Sequence, residues 1–482
     1  MIQFNHFIFG QYQPSLNGGT MPVINPANGK QYATLAAGDE QDVELAVNAA
    51  RHAAPLWALT PLATRQNIMQ RIADLIMERV DELAMAESID SGKPITQARQ
   101  LDIPRAASNF SFFAAAASQW ASESHQMPGQ ALNYTVRQPV GIVGCISPWN
   151  LPLYLFTWKI APAIAAGNAV IGKPSELTPA TATLLGEICN EAGLPPGVLN
   201  IIHGTGPDVG EAIVRHEEIK AISFTGSTLV GKRIAGICAE QLKKVSLELG
   251  GKNPVIIFAD CDYNHMLATT IKSSFSNTGQ ICLCGSRILV EKSIFEKFVA
   301  DFTARTKSMK IGDPSDPATE IGALNSEAHL KKVMSYVKLA REEGGEIVTG
   351  GNLVTMEGAN SKGYFMEPTI ITGLKDQCRT NQEEIFGPVV TIAPFENEEE
   401  AISMANSTSY GLASIVWTEN LSKAHRVAES MHSGIVWINC WLLRDLRTPF
   451  GGVKQSGLGR EGGWEAMKFF TEAKNITIAY KG

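Results

Sequence analysis

From Pro139 onward the chain alternates short apolar runs with stretches of helical spacing, and this alternation constrains the fold more than any other feature. Val140-Gly-Ile-Val-Gly-Cys-Ile146, Ala169-Val-Ile-Gly172, Val198-Leu-Asn-Ile-Ile202, Ala221-Ile-Ser-Phe224 and Val245-Ser-Leu-Glu-Leu249 read as buried strands. Residues 152–166, 178–192, 208–216 and 227–242 read as the helices between them, one begun by Pro152 and one stopped by Gly193 and Pro195-Pro196. Strands alternating with helices of this length predict an α/β fold with a parallel, doubly wound sheet. Such sheets bind ligands at the carboxyl ends of their strands. A second alternating region runs from Asn253 to about Asn439, with strands expected near 255–258, 287–290, 389–394 and 435–439. A boundary is expected near Gly250-Gly251.

Ahead of this region, residues 1–40 hold short strand-like pieces broken by Gly and Pro. Residues 40–86 then carry helical spacing, with Ile68, Ile72, Leu75 and Ile76 on one face. A further helical region is expected over 96–122, and residues 133–137 look like a strand in a small projecting element. At 482 residues the chain suits two or three domains. The net charge of −7 is spread without runs, which argues against a nucleic-acid or anionic-membrane surface. The longest apolar stretch, 160–172, contains Pro162 and Asn168 and is too short to span a bilayer. Met1 to Gly10 has no basic region and no long apolar run, so no secretory signal is expected. The 8 cysteines are scattered, read as reduced thiols of a cytoplasmic protein, and have no zinc spacing. No metal is expected.

One cysteine stands apart. Cys282 follows an expected helix over 264–276 and sits in Asn277-Thr-Gly-Gln-Ile-Cys-Leu-Cys-Gly285, a turn rich in Gly, Gln and Asn. A thiol placed so can be exposed and ionised, as a nucleophile requires. A lone cysteine is otherwise a small buried hydrophobe.

Six further stretches carry candidate chemistry, each with a plainer reading beside it. Gly226 and Ser227, at a strand-to-helix turn, offer free N–H groups to a pyrophosphate, or simply form a turn with an N-cap. Lys173-Pro-Ser175-Glu176 follows a strand end and could bond ribose hydroxyls, or be a solvated loop pair. In Ser147-Pro-Trp149-Asn150-Leu-Pro152 two prolines fix Asn150, whose amide could stabilise an oxyanion or close a turn. Glu248, in Leu247-Glu-Leu-Gly-Gly-Lys252, is a candidate general base or a sheet-edge ion pair with Lys252. Glu384 and Phe386, a carboxylate and an aromatic ring, share the tight turn Glu383-Glu-Ile-Phe-Gly-Pro388, which could equally be a plain surface turn. Trp441, Arg444, Arg447 and Phe450 share one loop suited to an anionic planar ligand, unless the arginines pair with Asp445.

Together, in this order, these motifs resemble the NAD(P)-dependent aldehyde dehydrogenase superfamily over essentially the whole chain. The resemblance implies that Cys282 attacks an aldehyde carbonyl as a thiolate, with the Asn150 side chain and the Cys282 N–H holding the oxyanion. Hydride passes to the nicotinamide, a thioester remains, and Glu248 activates water to release the acid. Trp149, Lys173, Ser175, Glu176, Gly226, Ser227, Glu384 and Phe386 become the cofactor-binding set, with Glu176 favouring NAD because a carboxylate repels a 2′-phosphate. The implied architecture is a Rossmann-like NAD-binding domain (1–120 and 140–250), an α/β catalytic domain (251–465) and a small β oligomerisation element (121–139 and 466–482) that makes a homodimer or homotetramer.

Within the superfamily, Asp102-Ile-Pro-Arg105, Ser147-Pro-Trp-Asn-Leu-Pro-Leu-Tyr154, the cysteine turn and Trp441-Leu-Leu-Arg-Asp-Leu-Arg-Thr-Pro-Phe450 are most similar to the 2-aminomuconic and 2-hydroxymuconic semialdehyde dehydrogenases of aromatic-compound breakdown. Their substrates carry a carboxylate away from the aldehyde. Arg444 is then the expected carboxylate clamp, Arg105 a second, Phe450 a neighbouring wall, and Arg447 either a further contact or the partner of Asp445. Ser111 departs from the basic residue that relatives often carry. Three alternatives remain at this level: a broad-range or benzaldehyde/salicylaldehyde-type dehydrogenase, a CoA-acylating enzyme (which needs no water-activating Glu248), and a fold relative without activity.

Overall fold

The computed structural model describes residues 2–481; Met1 and Gly482, the outer ends of the expected domain ranges, lie outside the described residues. Its first sheet has eight strands. In spatial order they are Gly457–Leu458, Lys244–Glu248, Ile219–Thr225, Ile142–Ile146, Ala169–Lys173, Leu199–Ile201, His6–Ile8 and Gln11–Gln13. The five central strands are parallel and the flanking ones antiparallel. Parallel strands covered on both faces need apolar side chains throughout. Val143, Cys145, Val170, Ile171, Ile201 and Ile222 are accordingly all buried.

Register then places the chemistry. Glu248 pairs with Thr225, Phe224 with Ile146, and Ile146 with Lys173. Glu248 and Lys173 thus end strands at one edge of the sheet, three strand spacings or roughly 14 Å apart. Every residue of the helix Pro152–Ala165 is buried. It packs against the helix Ile103–Gln119 and holds the polar turn before it rigidly at that edge.

The second sheet has seven strands, in the order Glu346–Thr349, Thr369–Thr372, Val389–Phe395, Gly285–Glu291, Asn253–Ile257, Ala413–Trp417 and Ile435–Ile438. All but the first run parallel. Three of the seven strands, Glu346–Thr349, Thr369–Thr372 and Ala413–Trp417, add to the four expected. A four- or five-residue apolar run has no period of its own, and only the neighbours on either side make it a strand.

The third sheet joins Ser124–Met127, Ala131–Pro139 and Thr471–Ala479 in an antiparallel ribbon. The last strand pairs along its whole length, from Thr471 to Ala479. The helical region expected over 96–122 is not continuous. It starts as a short turn, Ile95–Gln97, widens into a π-turn at Ala98–Asp102 and only then becomes the helix Ile103–Gln119. Pro104 cannot donate to the preceding turn and its ring crowds it, so the backbone opens by one residue. The segment expected as a helix over 208–216 likewise begins as a π-turn, Gly206–Gly210, around Pro207. Among the described residues no helix is long and apolar enough to cross a membrane.

Candidate active site

The helix Tyr263–Phe275 ends at a 3-10 turn, Ser276–Gly279, and the chain then doubles back to the strand Gly285–Glu291. Asn277, Thr278 and Gly279 all have positive φ, at 51°, 55° and 71°. A β-branched residue in the left-handed region costs on the order of 1–3 kcal/mol, and such strain clusters at functional sites. At position 279 only glycine fits, because a Cβ there would lie 2.2 Å from the Gly387 carbonyl. This close approach brings the Glu384-to-Pro388 turn against the Cys282 turn.

Asn150 is buried beside the same turn. Its Nδ2 donates to the Gln280 carbonyl at 2.9 Å, and the Asn277 Nδ2 donates to the Asn150 carbonyl at 2.9 Å. One hydrogen of the Asn150 amide group remains for a ligand. The Cys282 N–H has no acceptor among the described residues. Cys282 itself is half-buried at the meeting point of two cavities.

The first cavity runs between the helices Ile103–Gln119 and Pro152–Ala165 and the 440–450 loop. Cys282, Glu248, Thr225, Arg105, Tyr154, Arg444 and Phe450 line it. Arg444 Nη1 donates to the Tyr154 hydroxyl at 2.9 Å, and its guanidinium lies 3.9 Å from the Phe450 ring centroid and 5.1 Å from that of Trp158. Arg105 lies over the Tyr154 ring at 5.5 Å, and its Nε and Nη2 are buried without partners. Among the described residues, neither guanidinium has a carboxylate within salt-bridge distance. Burial holds the Arg105 guanidinium below its usual value, and Arg444 pushes it the same way, so the two cations face one space. Arg447 does not join them. It is exposed and forms a bidentate pair with Asp445 at 2.5–3.0 Å.

Glu248 ends its strand, buried, with Oε1 unpartnered. The alternative reading, an ion pair with Lys252, does not form among the described residues. Lys252 is buried with no partner for Nζ, and burial and Arg287 lower its ammonium to about 7. Glu248 instead sits above Glu461, whose Oε1 accepts from Lys159 at 2.8 Å and from Ser223 at 2.9 Å. Burial, then the Glu461 carboxylate, push the Glu248 carboxyl well above the usual range. A carboxyl so placed holds a proton more readily than an ordinary carboxylate does.

The second cavity opens on the other side of Cys282. Trp149, Asn150, Gly226, Ser227, Glu384 and Phe386 line it, together with His329 and Lys332. Trp149 meets His329 and Phe386 edge-on, with centroids 5.0 and 5.5 Å away. The His329 Nε2 lies 2.6 Å from the Phe386 carbonyl and holds that residue at its positive φ of 64°. Glu384 Oε1 accepts from the Gly251 N–H at 2.9 Å. A Cβ at residue 250 would fall 2.4 Å from Glu384 Oε2, so any larger residue there would displace that carboxylate. Ser227 caps the helix Thr228–Glu240 through the Val230 N–H at 3.4 Å, leaving its first turn facing the cavity.

Lys173, Ser175 and Glu176 lie farther along the same sheet edge and do not line this cavity. Lys173 Nζ donates to Glu176 Oε2 and to the Pro174 carbonyl, both at 3.2 Å. The Ser175 hydroxyl is occupied within its own turn, accepting from the Leu177 N–H at 3.2 Å.

One expectation needs correction. The Cys282 thiol is half-buried rather than freely exposed. Burial raises its pKa above the ordinary thiol value, and the Glu384 and Glu248 carboxylates raise it further, against a lowering pull from Arg444. The Gly/Gln/Asn composition of the turn does make it tight, but its polar side chains are spent on backbone groups rather than left in water.

Several site residues had no assigned role in the sequence. Lys159 had a signal: a lone lysine in an otherwise apolar helix must be paired when buried. Tyr154 belonged to a quoted motif. Thr225 sits beside Gly226 in the strand-to-helix stretch; Glu461, His329 and Lys332 carry no local signature, because only the packing of distant segments brings them to the cavities.

Residues 12–476 match the aldehyde dehydrogenase family. The chain is 50% identical to the 2-aminomuconic semialdehyde dehydrogenase of Bos taurus, covering 100% of this chain and 99% of the relative. It is 47% identical to the 2-hydroxymuconic semialdehyde dehydrogenase of Pseudomonas sp. (strain CF600), covering 99% and 100%. Among solved structures, the NAD+ complex of an aldehyde dehydrogenase from Bacillus cereus superposes with a TM-score of 0.97 at 38% identity, covering 99% of this chain and 97% of that one.

Proposed function

This chain belongs to the aldehyde dehydrogenase family, and we propose that it oxidises a muconic semialdehyde, bearing a hydroxy or amino group, to the acid with NAD. The observation that carries the reading is the first cavity. It holds a cysteine, a buried carboxyl and two guanidinium groups without carboxylate partners. An aldehyde with a distant carboxylate matches all three. Its carbonyl meets Cys282 while its carboxylate meets Arg444 and Arg105, in charge-assisted hydrogen bonds. Phe450 and Tyr154 flank the carbon chain between them.

In this reading the Cys282 thiol loses its proton to solvent, and the thiolate Sγ attacks the carbonyl carbon. The free N–H of Asn150 Nδ2 and the Cys282 N–H donate to the oxygen as it becomes an oxyanion. The second cavity fits a dinucleotide: aromatic faces at Trp149 and Phe386, the open helix N-terminus at Gly226 and Ser227, the Glu384 carboxylate, and the Lys173–Glu176 pair along the edge. Ser175 shapes that last turn. NAD, when bound, supplies the acceptor for the hydride that leaves the tetrahedral carbon. A thioester on Cys282 remains. Glu248 takes a proton from water, the resulting hydroxide attacks the thioester, and the C–S bond breaks to return the thiolate. Lys159, Ser223 and Glu461 hold the space below Glu248.

The division into a cofactor domain (1–120 and 140–250), a catalytic domain (251–465) and an oligomerisation element (121–139 and 466–482) belongs to the same proposal. The two large sheets and the projecting ribbon support it. The exposed outer strand Ser124–Met127 suits pairing with another copy, in a homodimer or homotetramer. A cytoplasmic location suits the eight free thiols.

The test is NADH formation with 2-hydroxymuconic semialdehyde, benzaldehyde and hexanal, for wild type and Arg444→Ala. A hydrogen bond to a charged group contributes about 1.5–3 kcal/mol, so the variant should raise KM for the carboxylated aldehyde by roughly 10- to 150-fold. The two neutral aldehydes should change little. Equal losses on all three would make Arg444 structural, and indifference of the wild type would favour a broad-range dehydrogenase.

A further inference from the structure

The carbonyls of residues 280 to 284 are all engaged. Gln280 accepts from Asn150 and Asn277, Ile281 from the Cys284 N–H at 2.9 Å, and Leu283 from Trp441 Nε1 at 2.9 Å. The other two go to one side chain. Asn253 Nδ2 donates to the Cys282 carbonyl at 2.7 Å and to the Cys284 carbonyl at 2.9 Å. Asn253 Oδ1 accepts from the Ala413 N–H at 3.0 Å, and the residue is 2% exposed. Its amide is therefore used on both sides. It is anchored to the adjacent strand Ala413–Trp417 and spends both hydrogens on the carbonyls that flank Leu283.

This arrangement bears on Cys282 directly. A peptide group is planar, so fixing a carbonyl fixes the whole plane. The Cys284-to-Ile281 bond fixes the plane before Cys282, and Asn253 fixes the plane after it. With both planes set, the direction of the Cys282 Cβ is set too, and the N–H of Cys282 stays turned away from protein acceptors.

Resting on the reading of Cys282 as the nucleophile, we propose that Asn253 is a positioning residue that holds Cys282 in its attacking orientation. The sheet carries it: Asn253 opens the strand Asn253–Ile257 at a register shift against Gly285–Glu291, so its side chain reaches back to the turn rather than into the ladder. A displacement of reacting atoms on the order of 1 Å costs about 100-fold in rate.

The experiment compares wild type, Asn253→Ala, Asn253→Ser and Cys282→Ala. It measures kcat, KM for the aldehyde, NAD affinity by fluorescence quenching, and the rate at which iodoacetamide labels Cys282, located by mass spectrometry. Asn253→Ala should lower kcat by roughly 10- to 100-fold and change the labelling rate, while NAD affinity and KM stay within about threefold. Asn253→Ser keeps one donor and should recover part of the loss. If Asn253→Ala does not fold, Asn253→Ser against wild type is judged by the same split. A kcat within about twofold of wild type, or an equal loss in NAD affinity, would overturn the proposal. Cys282→Ala separates the two levels. An inactive Cys282→Ala beside a normal Asn253→Ala removes only the role of Asn253. Sustained oxidation by Cys282→Ala removes the nucleophile reading and this inference with it.

Discussion

Lys93→Met tests how the substrate cavity is held from behind. The Lys93 ammonium lies 2.8 Å from Glu87 Oε1 and 2.6 Å from Asp102 Oδ2, and all three side chains are 0% exposed. Burial alone would lower that ammonium, but the two carboxylates raise it above its usual value, so it stays charged. At an effective dielectric of about 20, each contact is worth roughly 6 kcal/mol before desolvation. Desolvation offsets several kcal/mol per ion, and removing one partner of a buried pair costs about 3–5 kcal/mol net. Here two carboxylates lose one cation, so the upper end, about 5 kcal/mol, is expected. Glu87 Oε2 also accepts from the Leu153 N–H at 3.3 Å, at the start of the helix that carries Tyr154. Asp102 closes the π-turn one turn before Arg105. The loss should therefore reach the cavity. Thermal unfolding should fall by roughly 10 °C or more, at about 2–4 °C per kcal/mol. KM for the carboxylated aldehyde should rise with it. The triple variant Glu87→Gln, Lys93→Met, Asp102→Asn, which leaves no buried charge, should recover most of the stability. A Lys93→Met protein as stable as wild type would refute the reasoning, because the two carboxylates would then need no cation.

Two further outcomes are expected. Glu248→Ala should release one NADH per site in a stopped-flow burst and then stall, while the wild type turns over. Because burial and Glu461 raise the Glu248 carboxyl, and burial with two carboxylates raises the Cys282 thiol, wild-type kcat should climb with pH well beyond the ordinary carboxylate range; a profile flat from acid upward, or steady turnover by Glu248→Ala, would remove Glu248 as base. Acid should also destabilise the fold through its buried imidazoles. Burial holds His6 below its usual value and His203 well below. The unfolded chain then binds protons at about pH 6.5 that the folded chain refuses, so stability is complete above that pH and is lost as pH falls through it. The imidazole contribution to stability should shrink between neutral and mildly acidic pH, seen as a higher relative unfolding temperature for His203→Gln at mildly acidic than at neutral pH; an unchanged difference between the two proteins would refute it.

What the sequence by itself determined is local. Alternating apolar runs specify strands buried on both faces, and the first sheet follows from them almost residue by residue. Gly279 stands where the backbone comes too close to another backbone segment for any side chain. Cys282, Asn150, Glu248, Glu384 and the two arginines stood out because a reactive or charged type in a tight turn at a strand end is uncommon. The tertiary structure decided what each of these groups faces. Arg105 and Arg444 are far apart in the chain, and no period could bring them to one cavity. Arg447, three residues from Arg444, turns outward to Asp445. Lys252 lies only four residues from Glu248 in sequence, yet Glu461, more than two hundred residues away, is the charge that meets it. The strand Ala413–Trp417 is invisible as a pattern and still anchors Asn253, which holds the carbonyl of Cys282. Backbone conformation depends on near neighbours along the chain, so it is legible there. Charge state and orientation depend on burial and on neighbours in space, and those exist only once the two sheets have packed.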